Sequence, residues 1–237
     1  DGNRVVMEAE VTRYRFIFGT DANGRDLLAR ILISIRISLM IGALATGVAL
    51  VIGVAYGATA GYLGGRVDAL MMRFVDILYS LPFIFFVILL VVFFGRNVVL
   101  MFIAVGAVEW LDMARIVRGQ TLSLKNREFV EAARASGVSE ITIMIRHILP
   151  NLAGVIIVYA SLLVPDMILA ESFVSFLGLG ISEPYTSLGA LLAEGAGTMA
   201  YGTLWQLAFP LFFYVVIIIT MFFIGDGLRD ALDPKDR

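Results

Sequence analysis

The chain has 237 residues, of which 59% are hydrophobic and only 16% charged, with a mean hydropathy of +0.90. A soluble domain is about 45–50% apolar and about 25% charged, so this composition cannot clothe a water-facing globule, and the same numbers exclude disorder. The net charge of −2, from 18 basic and 20 acidic residues, supplies no basic field for nucleic acid.

Residue counts close off several chemistries. There is no cysteine, hence no disulfide framework, thiolate zinc site or iron–sulfur cluster. The single histidine, His147, sits in a basic stretch and forms no HExxH or Ser-His-Asp pattern. The only lysines are Lys125 and Lys235, and neither follows a glycine, so the chain carries no GxxxxGK[ST] phosphate loop.

A bilayer core of about 30 Å takes roughly 20 helical residues, and five stretches qualify. Residues 1–36 form a polar leading segment with six arginines. The first span covers 37–60 and is too deep in the chain, and lacks the cleavage site, for a signal peptide. Along it Ala45, Ala49, Gly53, Gly57, Gly61 and Gly65 recur every four residues, a stripe that lets a second backbone approach closely. That neighbour is either another helix of this chain or a second membrane subunit. The second span covers 77–94 after an amphipathic lead-in over 67–76. The third covers 98–110 and continues, more polar, to 116. The fourth covers 152–170 and the fifth 204–224. The membrane units are therefore 37–116 and 152–225, joined by a polar loop over 117–151, with an outer loop over 172–203 and a tail over 226–237.

The few ionisable groups near the spans are Glu109, Asp112, Asp166 and Glu171. Charge in lipid is costly and needs a partner or a water-filled path. Pro165 should kink the fourth span beside Asp166. Asp166, Glu171 and Phe173 are the candidates for a pore or gate, with pairing to an arginine or capping of a broken helix as the structural alternative. Eleven basic residues fall on the side of the 117–151 loop and seven on the other, which makes the loop side cytoplasmic. The arginine-rich leading segment then opens on the outer side, which points to an earlier span before it.

The loop holds the most information. Asn126 is placed to cap a short helix with Glu128 in its first turn, Phe129, Val130 and Ala133 on one face, and Gly137 as its stop. Ser139 is placed to cap a second helix with Ile141, Met144, Ile145 and Ile148 on its apolar side, ended by Pro150. Two short helices joined at a glycine make a knob that suits either a groove on a soluble partner or the lipid headgroups, through Arg127, Arg134 and Arg146.

Glu131-Ala132-Ala133, Gly137 and Leu149-Pro150 resemble the EAA loop of the membrane subunits of binding-protein-dependent ABC importers, with His147 at a position that is usually apolar. Further stretches are similar to the peptide/nickel permease group. They are Phe18-Gly19-Thr20-Asp21 with Gly24-Arg25-Asp26-Leu27-Leu28, Gly61-Tyr62-Leu63-Gly64-Gly65, Trp110-Leu111-Asp112-Met113-Ala114-Arg115, Ser175-Phe176-Leu177-Gly178-Leu179-Gly180 and the run from Gly225 to Pro234. The likeness extends from Phe18 onward and is greatest to the C-type permease subunits of oligopeptide importers; Leu188 stands where that family often has Trp.

The resemblance implies an all-α polytopic bundle of the type I importer permease fold in the bacterial inner membrane. It implies six spans, the first absent from the sequence given. It implies no catalytic residue, metal or cofactor on this chain, with ATP and magnesium on two partner ATPase subunits. It implies a B-type permease subunit beside it, an external peptide-binding protein and an oligopeptide cargo. It makes Glu128, Phe129, Glu131, Ala132, Ala133, Arg134 and Gly137 the residues that couple to the ATPase, and places Gly53, Gly57 and Gly61 in helix packing. Dipeptides, nickel chelates or oligosaccharides are the alternative cargoes; a secondary transporter or an intramembrane enzyme is the alternative class.

Overall fold

A computed structural model describes residues 15–95, 98–181 and 183–232. Arg4, Arg13, Arg96, Lys235 and Arg237, which entered the charge balance, and Asp233-Pro234 of the closing motif, lie outside the described residues. Among the described residues nine α-helices follow in chain order: α1 (Leu27–Leu63), α2 (Gly65–Tyr79), α3 (Phe83–Phe94), α4 (Val98–Leu124), α5 (Glu128–Ala135), α6 (Glu140–Ile143), α7 (Leu149–Phe176), α8 (Leu188–Thr198) and α9 (Trp205–Leu232). A π-helical turn, Met144–Ile148, joins α6 to α7. Among the described residues there is no strand beyond an isolated bridge between Thr20 and Asp26.

α1 begins ten residues before the apolar span read from sequence. Asp26 caps it, accepting from the Leu28 amide at 3.0 Å, and Leu27 and Ile31 are buried in the first turns. At 37 residues it is about 55 Å long, enough to carry both ends of the molecule. α4 lies along it. Gly53 faces Met113 and the Trp110 carbonyl, Gly57 the Ala114 backbone, and Gly61 the Arg118 carbonyl and Thr121. Gly106 of α4 returns the favour against the Ala45 carbonyl. The small-residue stripe is thus used within the chain, to bring α1 and α4 into backbone contact.

The expected span over 77–94 is two helices. α2 and α3 are bent by 78° at a short break. Pro82 precedes α3 with an extended backbone (ψ 126°); it cannot donate a helix bond and it keeps the residue before it from the helical region. Five spans are expected from sequence. By length and composition α1, the continuous α6–α7 rod (Glu140–Phe176) and α9 qualify among the described residues, and the bent α2–α3 pair makes a fourth. α4 is long enough, but from its middle onward it carries Glu109, Asp112, Arg115 and Arg118. Those groups are tolerated because α4 packs inward, with Val105, Leu111, Met113, Ala114 and Val117 buried.

α7 packs on α1 and α9, and α8 wedges between α7 and α9. α9 is the most lipid-like element, with 6% of its apolar window buried. The core divides into a central cluster around Ala45, Ala49, Trp110 and Met167, another at the end bearing α5 and α6, a third around Leu27, Ile31 and Leu191 at the opposite end, and a small one that pairs Val87 of α3 with Val174 of α7.

Candidate functional site

At one end of the bundle, α5 and α6 form a knob. Arg127, not Asn126, is the residue before α5, in extended conformation and without a side-chain cap. Glu128 and Glu131 instead place negative charge in the first turn, where the helix dipole favours it. The helix stops in a paired closure: Gly137 donates to the Arg134 carbonyl at 3.0 Å and Val138 to the Ala133 carbonyl at 3.2 Å. Gly137 has φ +77°, which a side chain would strain.

The two faces of α5 differ. Val130 is fully buried against a cluster holding Ile143, Ile148, Leu152 and Ala58, and Ala133 packs beside it. Glu128, Phe129, Glu131, Ala132 and Arg134 are exposed, with Phe129 38% accessible. Phe129 therefore points away from the face on which sequence periodicity placed it. In the second helix Ser139 does cap, accepting from Thr142 at 3.4 Å. Ile143 and Ile148 are buried, whereas Ile141 and Ile145 face out at 68% and 53%. Pro150 does not end this helix. The π turn shifts the hydrogen bonds by one residue, as in Leu149 donating to the Met144 carbonyl, and Pro150 then falls in the first turn of α7, where a missing donor is harmless.

Polar ties hold the knob. Arg134 donates to Glu140 at 3.0 and 3.3 Å, and the Tyr62 hydroxyl, from the end of α1, bonds the same carboxylate. The Arg134 guanidinium, with Tyr62, keeps the Glu140 carboxyl below its ordinary range, and Glu140 in turn raises Arg134. Nearby, Arg118 grips Asp68 through two bonds of 2.5 and 2.6 Å, and Lys125 donates to the Gly61 carbonyl at 2.9 Å.

At the opposite end the FGTD-x-x-GRD stretch forms a tight loop over α1. Asp21 accepts from the amides of Asn23 and Arg25 and from the side chains of Arg25 and Arg30. Burial opposes the charged form of Asp21, but these donors and the Arg30 charge outweigh it, and its carboxyl lies below the usual value. Arg30 is buried and forks onto Glu194 of α8 at 2.5 and 3.0 Å. Gln206 of α9 donates to the Thr20 carbonyl at 2.9 Å. The motif thereby ties α1, α8 and α9 together. Asp21 and Arg25 stand out in the sequence; Glu194 does not, because only folding brings it beside Arg30. Tyr62 and Glu140 were missed for the same reason.

Between the two ends, Asp166 and Phe173 lie two turns apart on one exposed face of α7, with Leu169 and Phe176 on the same stripe. Glu109 and Asp112 lie one turn apart on α4, which packs on α7. Among the described residues no arginine or lysine pairs with any of the three. Glu171 does not reach that face: it is fully buried, hydrogen-bonded to serines of α1 and α7.

A bundle of long apolar helices carrying a two-helix knob on one continuous helix is the architecture of an importer permease subunit. Residues 49–237 match the binding-protein-dependent transport system inner membrane component family, and the chain belongs to that family. It is similar to the oligopeptide transport system permease protein OppC of Haemophilus influenzae, 57% identical over 237 residues that span this whole chain and 76% of that protein. To OppC of Escherichia coli K12 it is 64% identical over 220 residues, 93% of this chain and 72% of that one. The fold is that of a chain of the MetNI methionine ABC transporter in an inward-facing conformation, with a TM-score of 0.73 at 17% identity, covering 90% of this chain and 100% of the other. The chain is thus a multi-pass inner-membrane permease component.

Proposed function

We propose that this chain is the C-type half of the translocation pore of an oligopeptide importer, paired with a B-type permease subunit in the lipid bilayer. Two ATPase subunits, which hold ATP and magnesium, dock on the cytoplasmic knob, and an external peptide-binding protein delivers cargo at the α8 end. The observation that carries this reading is the build of α5. It is anchored by Val130 and by the Arg134–Glu140–Tyr62 ties, which join it to the α6–α7 rod, while Glu128, Phe129, Glu131 and Ala132 are presented outward. A seat of that kind turns a change in ATPase separation into rocking of the membrane helices.

Peptide cargo is supported by the relatives named as OppC. A dipeptide range is the second reading, supported by 46% identity over 220 residues to the dipeptide transport system permease protein DppC of Bacillus subtilis. In the pore, Asp166 and Phe173 on the open stripe of α7, with Glu109 and Asp112 close by, supply a carboxylate-lined face suited to a peptide ammonium group.

The test is uptake of labelled tripeptide and dipeptide by the complete four-subunit complex in proteoliposomes with the cognate binding protein. Glu131→Arg and Gly137→Val should each lower tripeptide uptake at least tenfold while the complex still assembles and hydrolyses ATP. Unchanged uptake in both variants refutes the coupling role, and uptake of dipeptides alone refutes the oligopeptide range.

A further inference from the structure

Glu171 is the most deeply buried acidic side chain among the described residues, at 0% exposure; α1 and α7 meet on it, and α8 is joined to it through their serines. Ser175, one turn further along α7, donates to its carboxylate at 2.6 Å; Ser38 of α1 does so at 3.4 Å and Ser172 at 3.5 Å. Ser38 also accepts the Leu188 amide of α8 at 3.1 Å. Ser187 caps α8 through the Ala190 amide at 3.1 Å and lies 3.4 Å from the Ser175 hydroxyl. The backbones close up as well, since a β-carbon on Gly189 would collide with the Ser172 backbone. In apolar surroundings each of these polar groups is costly to leave unpaired. Directional bonds therefore hold α8 in one register on α1 and α7, where an apolar contact alone could slide.

The same helix reaches the knob. Through the π turn, α7 is continuous with α6, so Glu140, tied to Arg134 of α5, and Glu171 sit on one rod about 46 Å apart. We propose that Glu171 is a positioning residue that latches α8 to this rod and to α1, so that displacement of the α5–α6 knob arrives at the outer mouth as a movement of α8. The delivery of that movement rests on the coupling role proposed above; the latch itself does not.

The experiment uses the complete complex in proteoliposomes, with any cysteines of the other subunits replaced by serine; because the sequence here has no cysteine, a single label pair, Phe176→Cys with Gly197→Cys, then reports the α7–α8 distance. Glu171→Leu should broaden that distance in the nucleotide-free complex and lower tripeptide uptake per ATP hydrolysed at least tenfold. Glu171→Gln, which keeps an acceptor for the serines, should retain a single distance and uptake within about threefold. A single distance with normal uptake in Glu171→Leu overturns the latch. So does a glutamine variant as impaired as the leucine one, because that points to the acid's charge or proton. If Glu171→Leu fails to assemble, Ser38→Ala combined with Ser187→Ala removes the α1 and α8 arms. Broadening of the label distance there supports the latch and an unchanged distance overturns it. Normal uptake in Glu131→Arg would count against the coupling role alone, because the nucleotide-free distance needs no coupling.

Discussion

Gly57 shows how much a single residue carries in this chain. Any β-carbon there meets the Ala114 backbone, which has no flexible end to yield. Gly57→Val should therefore cost on the order of 3 kcal/mol, read as a lowered thermal midpoint of the purified complex. Gly119 lies within α4 with nothing near a built β-carbon. Gly119→Ala should raise the midpoint, by up to about 1 kcal/mol of helix propensity. At the α8 end, Arg30→Met leaves Asp21 with Arg25 as its remaining guanidinium and takes the partner from Glu194, and should cost about 2 kcal/mol. Because the folded Asp21 carboxyl lies below its ordinary value of 3.8, its contribution to stability is complete above about pH 4 and is lost as pH falls through the depressed folded value. Asp21→Asn should flatten that acid limb in unfolding measured from pH 6 to pH 2.

Elements divide into those that hold and those that present. α5 is too short to be stable alone, and its place is set by Val130 on the α6–α7 cluster. Val130→Ala should accelerate amide exchange across α5 by about tenfold or more while leaving the centre of α1 protected. Phe129→Ala, on the outward face, should leave exchange unchanged, and its effect should be confined to ATPase docking. Much of α5 is legible in the sequence. Gly137 as its stop and Ser139 as the next cap follow from local backbone chemistry and are where they are expected. The inward face is half legible: Val130 and Ala133 are placed correctly, but Phe129, Ile141 and Ile145 face out. Periodicity reports which residues share a face and not whether that face meets the core or a second protein. Pro150 misled for a related reason, since a π turn lets a proline open the next helix without breaking the rod.

The molecule as a whole is a bundle whose apolar surface is largely turned outward. Val215 of α9 is 44% exposed in the middle of an apolar run, and α9 buries little of itself against this chain. Val215→Arg should therefore penalise membrane insertion by about 3 kcal/mol, measurable as the inserted fraction in a translocon assay. The same substitution in a water-soluble protein would be nearly neutral at so exposed a position. A polar layer also marks each end of the bundle. One joins Tyr62, Arg134 and Glu140 at the knob; the other joins Asp21, Arg30 and Glu194 at the α8 end. α1 and the α6–α7 rod run between them.

Composition and apolar run length determined, without any coordinates, that this is a helical membrane protein. Local chemistry determined where several helices begin and end, because caps, glycines and apolar runs act over a few residues. The EAA-like spacing determined the likeness to importer permeases. Tertiary structure decided which partners complete the motifs. The Gly53–Gly57–Gly61 stripe allowed either an internal or an external neighbour, and only the fold shows α4 seated on it. Glu171 is a carboxyl near a span end in the sequence and a candidate for the pore; in the fold it is sealed among serines from distant segments. Asp166 keeps an open face. The physical reason is common to all three. A buried polar or small residue is defined by what lies across from it, and in a bundle of long helices that neighbour is tens to hundreds of residues away along the chain.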